Sequence, residues 1–194
     1  MSRVANPRAA EQLSQAVWDV LAHQGLEHLT IRAVAAAAGC TTGLVMHRFP
    51  NRRALLTHAR ELLHARTRDR VEGLERAAAT PRAALRAVLA QGLATTEAGT
   101  LESVVWIGFL AAAVGDDELL ALHQVNTRAW RQRILRLVAA SAPEWSTDEV
   151  STAALVLMGM AEGSAALASA DPSTYSAELQ EAALDKTLAA LGLS

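Results

Sequence analysis

The chain has 194 residues, 51% of them hydrophobic and 4% aromatic, with a net charge of −2. That length suits one large domain or two small ones, and a composition rich in Ala and Leu favours helix because those side chains lose little entropy there. No run of β-branched residues alternates with period 2, residues 1–15 lack the apolar stretch of a signal peptide, and the uncharged run 150–161 is short of the ~20 residues of a membrane span, so an all-α, cytoplasmic protein with no membrane partner is predicted.

In chain order, the first helix is predicted over 7–23, capped by Asn6, with Pro7 in its first turn. Leu13, Ala16, Val17, Val20 and Leu21 form its apolar stripe and Gly25 stops it. After a connector at 26–29, Thr30 caps a second helix carrying Ile31, Val34, Ala35 and Ala38, which Gly39 ends. Thr41 caps a short third helix that buries Val45 and Phe49, and Pro50 closes it. Asn51 caps a fourth helix running to residue 78, about 40 Å long, with Leu55, Leu56, Ala59, Leu62, Leu63, Val71 and Leu74 on its apolar side.

A fifth helix is predicted over 83–94 with Pro81 at its start, followed by a loop at 97–100. A strongly apolar sixth covers 101–114 and holds Trp106 and Phe109. Asp116 or Asp117 caps the seventh, 118–140, which carries Trp130 and an outer basic face of Arg128, Arg131, Arg133 and Arg136. Two more helices follow over 148–170 and 176–191. The predicted domains are 1–50 and 51–194, with the boundary inside the long helix rather than in a linker.

The strongest pattern is the pair of capped helices over 30–49, separated by a tight turn at Gly39. The turn is too short for an antiparallel hairpin, so the helices must cross steeply. The Ala-rich first helix lets the second approach closely, and a helix presented in this way fits the major groove of B-DNA. Charge agrees: residues 1–70 hold ten Arg and five acids, whereas residues 71–194 hold eight basic and fifteen acidic residues. A basic front on an acidic body points to a polyanionic partner at one end.

These residues carry a resemblance: Thr30, Ile31, Val34, Ala35 and Gly39, then Thr41-Thr42-Gly43-Leu44-Val45, His47, Phe49-Pro50, Arg52 and Leu55-Leu56. The segment resembles the TetR family of regulators, and residues 81–191 resemble its BetI-type branch through the Trp106 and Trp130 regions and Glu162-Gly163. The resemblance implies a homodimeric repressor of double-stranded DNA, released from a palindromic operator by a small-molecule effector. Thr30, Thr41, Thr42, Gly43, Leu44, Met46 and His47 would meet bases or phosphates, and Arg52 would hold a phosphate where relatives carry lysine. Arg3 and Arg8 would reach further phosphates. Met46 departs from the usual tyrosine, and Cys40 from the usual valine. The rear domain would enclose an effector pocket with Trp106, Phe109, Trp130, Met158 and Glu162.

Glu162 is the odd residue of an apolar helix, and a buried carboxylate is costly unless paired. It bonds across helices, faces a partner subunit or meets a cationic ligand; the aromatic rings suit the last. Ala153, Ala154, Gly159, Ala161, Gly163, Ala165 and Ala166, with Leu179, Ala183 and Leu188, are expected to build the dimer interface from the last two helices.

No enzyme, cofactor or metal is expected. Glu61-x-x-His64 has the spacing of half a di-iron site, but the second half is missing, so His58 and His64 are assigned to the surface. There is no phosphate-binding loop, dinucleotide fingerprint or nucleophile motif. Cys40, the single cysteine, reads as a packing residue.

Overall fold

The computed structural model describes residues 7–194. Among them are nine α-helices, one 3-10 turn (Leu26–His28) and no strand: α1 (Pro7–Gln24), α2 (Ile31–Ala37), α3 (Thr42–Arg48), α4 (Arg52–Ala77), α5 (Pro81–Gln91), α6 (Glu97–Ala113), α7 (Asp117–Ser141), α8 (Thr147–Ala170) and α9 (Ala177–Ala190). The fold is all-α, as the composition requires. Arg3 and the expected cap Asn6 lie outside the described residues.

Local chemistry sets the helix starts. The side chains of Thr30, Thr41, Asn51, Thr80, Thr96, Asp116, Ser146 and Ser176 each accept an amide of the first turn that follows. Ser146 and Glu149 form a reciprocal capping box. Gly25 and Gly39 adopt φ of 83° and 61°, the left-handed region where a side chain is strained. The loop expected at 97–100 is instead the first turn of α6. Thr96 accepts from the Gly99 amide, and this cap outweighs the weak propensity of Gly and Thr there.

Two apolar cores form. The front core joins α1, α2 and α3 to the first half of α4 through Val17, Leu21, Leu29, Val34, Val45, Phe49 and Leu55. It also takes in Val105, Phe109 and Ala113 of α6 and Leu119 of α7. The rear core joins α5, α7, α8 and α9 around Leu85, Leu89, Ile134, Leu157 and Leu184, with Val71 of α4. The helix pair therefore does not pack alone: α6 is built into its core. Gly108 sits where an added Cβ would be 3.6 Å from Leu26, so α6 lies close against the turn that precedes α2.

α8 is long and apolar enough, by length and composition, to cross a bilayer, longer than the uncharged run suggested. Its residues Val150, Ala153, Ala154, Leu157, Met158, Ala161, Ala165 and Ala168 are buried against neighbouring helices. It serves as a central helix of the rear bundle.

Candidate nucleic-acid interface and internal cavity

The helix pair has the expected orientation. Val34, Ala35, Val45 and Phe49 are buried, while Thr30, Thr41, Thr42, Gly43, Leu44, Met46 and His47 are all exposed. Thr30 and Thr41 spend their hydroxyl oxygens as caps, on the amides of Ala33 at 3.1 Å and Leu44 at 3.3 Å. Leu44 and Met46 expose 47% and 52% of their surface, which leaves an apolar patch beside two threonines on the same short helix. Such a patch suits thymine methyl groups in a major groove. Arg48 stands 5.4 Å from the centroid of the Phe49 ring.

Arg52 is exposed, but its guanidinium already donates to the Leu26 carbonyl at 3.0 Å. It therefore ties the start of α4 to the turn before α2. Cys40 is half-buried in the turn, packed on the front core. His58, assigned to the surface by sequence, is drawn inward. It bonds Ser14 at 2.9 Å and stacks on Phe49 with ring centroids 4.9 Å apart. Burial and the nearby Arg48 hold its pKa below the usual histidine range.

Behind this head lies a cavity of about 220 Å³ bounded by α4, α5, α6, α7 and α8. Trp106, Trp130 and Glu162 line it together, although they come from three helices. Phe109 and Met158 do not. Phe109 is buried in the front core and Met158 in the rear core, because α6 and α8 turn those positions away from the cavity. Glu162 bonds across helices to Trp130, and burial pushes its carboxyl above the ordinary range.

Sequence reasoning missed much of the polar wall, including Arg60, His64, Asn126 and Arg133. Arg133, expected on an outer face, turns inward and donates to Glu75 at 3.0 Å, and Arg136 donates to the same carboxylate at 2.6 Å. His64 also faces the cavity rather than the surface; burial, with Arg60, Arg68 and Arg133 around it, lowers its pKa. A signal for two of these residues existed. Arg60 falls between Leu56 and Leu63, and Asn126 between Leu119 and Trp130, at helical spacing on stripes that otherwise enter a core.

The last two helices divide differently from expectation. Ala153, Ala154, Ala161, Ala165 and Leu188 pack inside the chain, because α8 and α9 use those faces against their own bundle. Leu155, Val156, Gly159, Gly163, Leu167 and Leu179 are left exposed.

Comparison with known proteins agrees with this architecture. Residues 14–65 match the model of bacterial regulatory proteins of the tetR family, and residues 81–193 match the C-terminal domain of BetI-type transcriptional repressors. The chain is 29% identical over 152 residues to the HTH-type transcriptional regulator BetI of Burkholderia cenocepacia, covering 76% of each. A transcriptional regulator from Rhodococcus sp. Rha1 superimposes with a TM-score of 0.83 at 29% identity, over 93% of this chain and 94% of the other. A regulator from Saccharomonospora viridis, solved in complex with choline, has the same fold with a TM-score of 0.87 at 16% identity, over 95% of this chain and 97% of its own. The front helix pair, the rear bundle and both family matches coincide, and the chain belongs to the TetR family of DNA-binding transcriptional regulators.

Proposed function

We propose that this regulator is a ligand-responsive repressor. It binds a palindromic operator in the cytoplasm as a homodimer and leaves it when a small-molecule effector fills the cavity. The stripe Thr41, Thr42, Gly43, Leu44, Met46 and His47 meets the groove, with Thr30 and Arg52 toward the backbone. Arg52 reaches a phosphate with the part of its fork not engaged by Leu26. Residues 1–50 form the reading head and 51–194 the effector-binding and dimerising body, with α6 keyed into both. The interface is built by the exposed faces of α8 and α9.

One observation carries the ligand response. α6 lines the cavity with Glu102, Ser103 and Trp106, and with Val105, Phe109 and Ala113 it enters the head's core. α4 does the same through Leu63 and His64 at the cavity and Leu55, Leu56 and Ala59 in the head. A ligand that prefers one placement of these two helices thereby biases the spacing of the two heads.

The test is selection of bound fragments from sheared genomic DNA, followed by displacement with a small-molecule extract of the source cells. An inverted repeat occupied by two chains, released by the extract from wild type but not from a cavity-filling Ser103→Trp variant, is expected. Fragments without a common inverted repeat, or release undiminished in Ser103→Trp, would contradict the proposal.

A further inference from the structure

The charges around the cavity are unevenly compensated. Arg133 is paired with Glu75 and Glu72. Arg68 is paired with Asp69 at 3.3 Å, and Glu102 with Arg70 at 2.5 Å. Arg60 has no such partner. It is 5% exposed, its Nε has no hydrogen-bond acceptor, and among the described residues it forms no ion pair. The Phe109 ring lies near it, with its centroid 6.0 Å from the guanidinium carbon.

Asn126, 8% exposed and lining the same cavity from α7, also carries an amide nitrogen without an acceptor. Two buried donors, one of them charged, thus line one space and lack oxygen atoms to bind. Removing a cation from water without a counter-charge is among the most expensive arrangements in a folded chain. An ordered water relieves a donor but brings no charge. Glu162 lines the same cavity but, among the described residues, forms no ion pair with Arg60; its side-chain partner is Trp130. Burial likewise lowers the Arg60 pKa, to about 10, which still leaves the guanidinium charged near neutrality.

We propose that the effector is a small organic anion whose carboxylate pairs with Arg60 and accepts from Asn126, while its apolar part lies against Trp106 and Trp130. The inference rests on the cavity being the effector site and specifies the chemistry that site takes. Arginine is suited to it because its planar fork meets both oxygens of a carboxylate. The rings of Trp106 and Trp130, with Leu63 and Val71, suit a hydrocarbon or aromatic remainder of the ligand.

The test uses the full chain and matched probes: formate, acetate, hexanoate and phenylacetate, their four amides, and choline. Binding is followed by tryptophan fluorescence and by melting temperature, and each probe is then tried for release of the selected DNA. At least one carboxylate is expected to bind tenfold or more tightly than its amide, with the preference lost in Arg60→Met and weakened in Asn126→Leu. Without ligand, Arg60→Met should melt no lower than wild type, because an uncompensated charge has been removed. Equal binding of acids and amides, no binding by any acid, or an Arg60→Met variant that keeps the preference would overturn the proposal. If Arg60→Met does not fold, the acid-to-amide ratio in wild type and the Asn126→Leu effect decide. Choline or amides binding alone and releasing DNA would overturn the anion and leave the effector site standing. Carboxylate binding without DNA release would keep the anion and remove the effector role.

Discussion

Thr41 shows how one side chain fixes the entry of the reading helix: its oxygen accepts the Leu44 amide, one of the donors a helix start leaves unsatisfied. Thr41→Ala should cost about 1 kcal/mol of stability, read by urea denaturation, and Thr41→Ser should restore most of it. Glu162 makes an opposite kind of contribution. Its carboxyl is raised by burial, so on raising the pH the unfolded chain gives up this proton first. The stability tied to the neutral form is complete below the unfolded value and is lost as pH rises through the folded one. Glu162→Gln keeps an acceptor for the Trp130 indole N–H but cannot ionise. The variant should melt above wild type at pH 8, and the gap should narrow toward pH 4 in a series of thermal scans. Of the cavity residues, the Trp106, Trp130 and Glu162 positions were legible as unusual types on apolar helices. Phe109 was not, because α6 is apolar on nearly every side and its sequence gives no phase that separates a cavity-facing ring from a core one.

At the scale of elements, capping side chains and stop glycines make the helix order readable, since each marks a place where backbone groups need a partner or a left-handed residue. The start of α6, which reads as a loop, is set by the Thr96 cap together with packing. Thr96-Glu97-Ala98-Gly99-Thr100 contains little apolar surface, but Gly99 lies against the segment that follows α5. A Cβ there would stand 2.9 Å from the Leu93 carbonyl oxygen and 3.2 Å from Thr96 Oγ1. The first is closer than a methyl group tolerates and is backbone; the second is tight and requires Thr96 to give by a few tenths of an ångström. Gly99→Ala should therefore cost about 1–3 kcal/mol by chemical denaturation, although alanine is the better helix former. Because Gly99 also lines the cavity, the same substitution should weaken whatever ligand the cavity takes. An alanine variant of unchanged or raised stability would show that α6 can slide away from α5 without penalty.

At the scale of the whole molecule, the exposed face of α8 is the part that a single chain leaves unexplained. Leu155 exposes 72% of its surface, Val156 44% and Leu167 50%, with Leu179 of α9 at 53%. Glycines at 159 and 163 lie exposed on the same helix and leave room for a second backbone to approach. Small residues flanked by large apolar ones match a self-complementary two-fold contact, in which the same patch serves both subunits. The charge asymmetry makes the geometry consistent, because the basic front third lies at the other end of the chain's sequence from this acidic, apolar body. In the α8 contact proposed above, Leu155→Glu would place two like charges near the two-fold axis and remove apolar area from each subunit. Sedimentation of this variant should show a monomer at concentrations where wild type is a dimer. Its helical signal by circular dichroism should be retained, since Leu155 contributes little to either core. Affinity for a full inverted repeat should then fall toward that for a half-site, because the loss of the dimer removes the advantage of two linked heads. A dimeric Leu155→Glu, or a monomer that still prefers the full repeat, would move the interface away from α8.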